Sequence, residues 1–160
     1  MGCDIHGYIE YKTKDSDQWW QWGNQILGPR NYGMFGLLAN VRCDGCVYPP
    51  RGFPRDSSIY DYWLYVVDHA TDENECTRNL AEEWVKNGSS FYEDETKIRV
   101  SDPDWHSASW LTTKEFERVM KKYEKLSDDD AESPFFVEYK AALAAMLCLP
   151  NARLVFWFDN

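Results

Sequence analysis

This sequence is poorest in positive charge, histidine and long apolar runs, and each shortage excludes something. Seventeen Lys and Arg stand against 27 Asp and Glu, a net charge of −10. A field of that sign repels phosphate backbones and anionic bilayers, so binding to long nucleic acid is not expected. No stretch approaches the roughly 20 apolar residues of a membrane span. No charged-then-apolar leader opens the chain, so no signal peptide is expected. The start Met1-Gly2-Cys3 lacks the Ser or Thr at position six that myristoylation wants, because His6 stands there. With three His in all, any site built on imidazole is small. The five Cys, at 3, 43, 46, 76 and 148, are an odd number. Without an export signal they read as reduced thiols, and the expected location is the cytoplasm of a bacterial host cell.

Aromatic side chains are abundant, with eight Trp and ten Tyr among 160 residues, and a chain of this length builds a core without staples. Cys3, Ile5, Gly7, Ile9 and Tyr11 alternate with polar positions as a strand does, and Trp19–Trp22 returns after the Asp15-Ser16-Asp17 turn. Asn31 is placed to cap a short helix carrying Met34, Leu37, Leu38 and Val41. The stretch 42–57, with Pro49, Pro50 and Pro54, reads as an ordered loop, and Ser57 or Ser58 as the cap of a helix to about Asp68. Another helix is expected after Thr71, with Cys76, Leu80 and Trp84 four apart, ending near Asn87-Gly88; Lys97–Val100 reads as a strand. Thr112-Thr113-Lys114-Glu115 matches a capping box ahead of Phe116, Val119, Met120 and Tyr123. Ser133-Pro134 opens a last helix with Phe136, Tyr139, Leu143 and Met146 on one stripe. The closing strand Arg153–Phe158 is apolar on both faces, as a central strand requires. The expectation is one α+β domain over 1–160, with helices packed on a small mixed or antiparallel sheet. That sheet holds an amino-terminal hairpin and a central carboxy-terminal strand.

The opening Met1-Gly2-Cys3-Asp4-Ile5-His6 resembles the start of a family of small, uncharacterised bacteriophage and bacterial proteins. Further blocks of that kind are Arg30-Asn31-Tyr32, Val41-Arg42, Arg51-Gly52 with Pro54 and Asp56, Asp104–Thr112, and the ending Arg153-Leu154-Val155-Phe156-Trp157-Phe158-Asp159-Asn160. The resemblance covers roughly a third of the chain, spread end to end, and implies a phage or prophage setting but no activity. Residues 60–100 look like a helical insertion relative to that pattern, and Cys43-Asp44-Gly45-Cys46 falls in a variable part.

Several groupings offer chemistry. Asp4 and His6 leave the same face of a strand. With His106, and with Asp104 or Asp159 as a further ligand, they form a candidate site for a divalent metal, since imidazole and carboxylate suit such ions; the bland reading is that Asp4 orients His6 in a polar network. Asp4-Ile5-His6-Gly7 resembles the opening motif of calcineurin-like phosphoesterases, but the other blocks of that family are missing. His106 beside Ser107 offers a base next to a hydroxyl, and His6, His106 and Ser107 are the catalytic candidates, although such neighbours more often fix a loop. Arg30, Arg42, Arg51 and Arg153 all lie in those blocks, as do the flat rings Tyr32, Trp105 and Trp110; of these Arg30, Arg51, Tyr32 and Trp110 are the chosen ligand-binding candidates, since guanidinium grips phosphate in two-point fashion and flat rings stack bases. Against that, abundant Asp and Glu would pair the arginines. Cys43 and Cys46 are half of a zinc knuckle that His69 and Cys76 would complete only at an unusual spacing.

These observations lead to a pocket protein that binds a small, phosphate-bearing, nucleotide-like ligand and sequesters a bacterial defence signal. One alternative is a metal-dependent or His-based hydrolase of such a ligand; another is an acidic inhibitor docking on a host protein. A homo-oligomer stays open, as do the ligand's identity and whether a bond is broken.

Overall fold

In a computed structural model, the structure describes residues 2–25, 28–58, 65–68, 78–87, 91–93, 97–100, 104–126 and 134–159. In chain order the elements are β1 (Asp4–Tyr11), β2 (Trp20–Trp22), α1 (Tyr32–Ala39), β3 (Tyr65–Asp68), α2 (Arg78–Lys86), β4 (Phe91–Glu93), β5 (Lys97–Val100), β6 (Trp105–Thr112), α3 (Thr113–Leu126), α4 (Pro134–Cys148) and β7 (Arg153–Asp159). The main sheet is antiparallel throughout, in the order β2-β1-β7-β6. This is the expected α+β fold, and the first and last strands are its two inner strands.

Alternation along the inner strands decides what each face buries. Ile5 and Ile9 of β1 share one face with Leu154, Phe156 and Phe158 of β7 and Leu111 of β6. On them lie Met34, Phe35 and Leu38 of α1, Phe116, Val119 and Met120 of α3, and Phe136, Tyr139 and Met146 of α4, in one apolar cluster. The opposite face carries Tyr8, Val155 and Trp157, joined by Ala108 of β6 and by Phe53 from the loop that follows Pro50. One face is thus covered by helices; the described cover of the other is loop and aromatic rings.

Helix boundaries follow from local chemistry. The Asn31 side chain accepts the Met34 N–H at 3.0 Å and so caps α1. Thr112 and Glu115 form a reciprocal capping box on α3: Thr112 Oγ1 accepts the Glu115 N–H at 3.3 Å, and Glu115 Oε2 accepts the Thr112 N–H at 2.9 Å.

Two elements differ from the sequence expectation. Residues 60–100 are not simply helical. Alongside α2 they form a three-stranded antiparallel sheet, β3-β5-β4, so the end of the helix expected to Asp68 is the strand β3. The run Tyr65-Val66-Val67, aromatic and β-branched, is chemically a strand. Residues 59–64, 69–77, 88–90 and 94–96 lie outside the described residues, as does Ser133 ahead of α4. Strand β6 carried no expectation at all. Its alternation is broken by a β-bulge between His106 and Ser109, where Ser107 takes φ +52° and the side-chain phase slips by one residue.

Candidate functional site

At one end of the loop-covered face, Glu10 of β1 and Arg153 of β7 stand opposite each other in register. Both are buried, at 0% and 5% exposure. Arg153 Nε donates to Glu10 Oε2 at 2.8 Å, and its Nη1 lies 3.0 Å from Asp56 Oδ1. The other oxygen of Glu10 accepts from Ser57 Oγ at 2.5 Å, Ser58 N at 2.6 Å and Ser58 Oγ at 2.7 Å. A buried charge is tolerated only when paired and hydrogen-bonded in this way, and here the pairing also ties the loop at residues 56–58 to the sheet. Asp56 in turn accepts from Trp19 Nε1 at 2.8 Å. Burial pushes its carboxyl up, but the bond from Trp19 and the charge of Arg153 outweigh that and hold it below the usual range.

Rings and guanidinium groups interleave on this face. Arg153 Cζ lies 3.7 Å from the Trp19 ring centre and 5.8 Å from that of Trp110. Arg51 Cζ is also over Trp110, at 4.7 Å, and over Tyr48 at 5.4 Å. Arg51 is gripped by Glu115 through two bonds, of 3.0 and 2.6 Å. That bond lowers the Glu115 carboxyl to about 2 and raises the Arg51 guanidinium.

A cleft of about 680 Å³ opens beside these rings. Its walls include Trp19, Trp110 and Arg153, the first turn of α3 with Thr113 and Lys114, and Leu147 near the end of α4. Arg153 contributes an anomaly to it. Among the described residues its Nη2 has no hydrogen-bond partner, although the atom is sealed from solvent. Leaving such a donor unsatisfied costs about 1–3 kcal/mol, and more for a charged group. The helix N-terminus and Lys114 add positive potential at the same place, opposed by Glu117, which is itself paired with Lys121 at 3.0 Å.

The residues singled out from sequence do not meet there as one set. His6 is stacked on Trp157, ring centres 5.3 Å apart, whereas His106 is stacked on Phe158 at 6.0 Å. Trp157 and Phe158 are successive residues of β7 and face opposite sides of the sheet, so the two imidazoles do too. The carboxylate partner of His6 is Asp159, at 2.7 Å from Nε2, with Gln25 Nε2 at 3.2 Å from Nδ1. Asp4 is instead held by Arg30 through bonds of 2.5 and 2.9 Å, which lowers its carboxyl and raises the guanidinium. The trio Asp4, His6 and His106 therefore does not converge on a metal position. Among the described residues no three His, Cys, Asp or Glu side chains do. Ser107 Oγ is 3.1 Å from His106 Nδ1, on the edge strand. Arg30 and Arg51 are engaged by Asp4 and Glu115, and Tyr32 sits exposed against the edge of Phe35; of the arginines and rings weighed for ligand binding, Trp110 and Arg153 line the cleft. His69 and Cys76 lie outside the described residues.

Sequence reasoning passed over Glu10 and Trp19. Glu10 carried a usable signal, a carboxylate within a strand expected near the sheet centre. Trp19 carried none, because its place over Arg153 is a long-range contact. Comparison with protein-family models, with curated proteins and with solved structures finds no match, so the site is read from its own chemistry.

Proposed function

We propose that this protein binds a small, phosphate-bearing ligand with a flat ring, of the nucleotide kind, in the cleft between Trp19, Trp110 and the first turn of α3. The observation that carries the reading is the unpartnered Nη2 of Arg153, a buried cationic donor beside two indole rings. The Trp19 ring lies over the guanidinium, its centre 3.7 Å from Cζ, so on this reading a ligand meets the group by displacing that ring. The base then stacks on indole and the phosphate meets guanidinium, Lys114 and the amides of the helix start. The size of the cleft, about 680 Å³, falls in the range of small-molecule sites. In the phage setting that the sequence resemblance suggests, holding a host nucleotide signal without changing it is the corresponding role.

The test is titration with adenine and guanine nucleotides, linear and cyclic, followed by tryptophan fluorescence and calorimetry. One-to-one binding that quenches fluorescence, is weakened in Trp110→Ala and Lys114→Glu, and returns intact nucleotide after denaturation agrees with the proposal. No binding at millimolar nucleotide ends it. A second reading rests on the His6–Asp159 pair, a carboxylate-oriented imidazole in a half-exposed corner, which would serve as a general base for hydrolysis. Altered nucleotide recovered from the wild type, but not from His6→Gln, favours it.

A further inference from the structure

The segment Cys43–Cys46 is held in place more tightly than an exposed loop requires. Asn40, in the left-handed region at φ 56°, closes α1 and donates its N–H to Gly36 O at 2.9 Å. Its side-chain Oδ1 then accepts two successive amides of the loop, Gly45 N at 2.9 Å and Cys46 N at 2.8 Å. Gly45 has φ +115°, a conformation that side chains rarely adopt. Gly36 is equally constrained: a Cβ there would fall 2.7 Å from both Cβ and O of Cys43, so the absence of a side chain lets Cys43 lie against the helix. Val47 N donates to Leu37 O at 3.0 Å and ties off the far end. Lys122 of α3 reaches across to donate to Gly45 O at 2.8 Å, which puts an ammonium group on the turn between the two cysteines.

The result is a loop fixed along its backbone that carries two free thiols three residues apart, Cys43 exposed and Cys46 half-buried. Thiolates are soft ligands that favour copper(I), zinc and iron–sulfur clusters. Structural zinc takes four ligands, and among the described residues no three His, Cys, Asp or Glu side chains gather to hold a metal. Two thiolates alone match a cation content with two ligands. We propose that Cys43 and Cys46 form a two-thiolate site for copper(I). On binding, the two S–H groups release two protons and two sulfur–copper bonds form; copper stays monovalent and no electron moves. The complex carries one net negative charge, which Lys122 offsets in a chain already at −10. This site is independent of the nucleotide cleft.

The experiment titrates reduced, anaerobic wild-type protein with copper(I) against bicinchoninate, whose coloured complex fades as the protein takes the metal. One copper per chain is expected. Cys43→Ser and Cys46→Ser should each weaken uptake at least about 100-fold, Asn40→Ala about 10-fold, and Cys148→Ser not at all. Circular dichroism checks the fold of each variant, and alkylating the exposed thiols of the wild type replaces any variant that does not fold. No copper uptake, or uptake that persists in the Cys43→Ser/Cys46→Ser double variant, overturns the site. So does stoichiometric zinc that depends on His69 or Cys76.

Discussion

The two faces of the main sheet exclude water by different chemistry. The helix-covered face is apolar over most of its area, with Ile5, Ile9, Leu154, Phe156 and Phe158 meeting three helices. The other face buries Trp157, Tyr8 and Phe53 but threads a carboxylate and a guanidinium through the rings, so that Glu10, Arg153 and Asp56 fasten a loop to the sheet. A dispersive core tolerates changes that conserve volume. An ionic latch depends on both partners being present, and among the described residues each face leaves one buried donor without a partner, the Tyr139 hydroxyl under the helices and Arg153 Nη2 at the latch. Stability resides mainly on the first face and recognition, on our proposal, on the second.

Substitutions separate the two. Phe158→Ala should lose about 3–5 kcal/mol in urea denaturation, whereas Phe158→Leu should lose less than about 1.5 kcal/mol. Glu10→Ala leaves the buried Arg153 with only the exposed Asp56 as carboxylate partner and should also lose about 3–5 kcal/mol, but here the rescue is different. The pair Glu10→Met with Arg153→Met should recover most of the loss, while abolishing nucleotide binding. If the double substitution is no more stable than Glu10→Ala alone, the contrast between the faces fails.

A smaller effect concerns the cap. Thr112→Ala removes the acceptor for the Glu115 amide and should cost about 1 kcal/mol, read from the same denaturation curve. Acid should reach the same corner. Glu115 is held at about 2, below its ordinary 4.5, so its folded state binds protons less readily than the unfolded chain. Its contribution is complete above pH 4.5 and drains away as pH falls towards 2. Asp4 and Asp56, also lowered, act in the same direction. Arg51→Met should flatten that part of the stability–pH profile; an unchanged slope would show that the Arg51–Glu115 pair is not its source. Smallest of all, Lys121→Ala breaks an exposed pair with Glu117 and should shift stability by about 0.3–0.5 kcal/mol, vanishing at high salt.

Much of the fold was legible in short-range patterns. The alternation of Cys3–Tyr11 and the unbroken apolar run Leu154–Phe158 place the two inner strands, and Asn31 and Thr112–Glu115 mark helix starts, because capping and pleating are decided within a few residues. Strand β6 was hidden because the Ser107 bulge interrupts its period. The site was less legible. His6 and His106 each neighbour β7, yet a one-residue difference in which side chain they oppose sends them to opposite faces.

The sequence by itself determined the class of fold, the inner strands and the supply of arginine and indole, since composition, alternation and caps are local properties. Which arginine meets which carboxylate was decided only by tertiary structure. Arg30 closes on Asp4, Arg51 on Glu115 and Arg153 on Glu10 across 26, 64 and 143 residues of chain. Pairing over such separations depends on strand register and helix placement, and no local pattern encodes it.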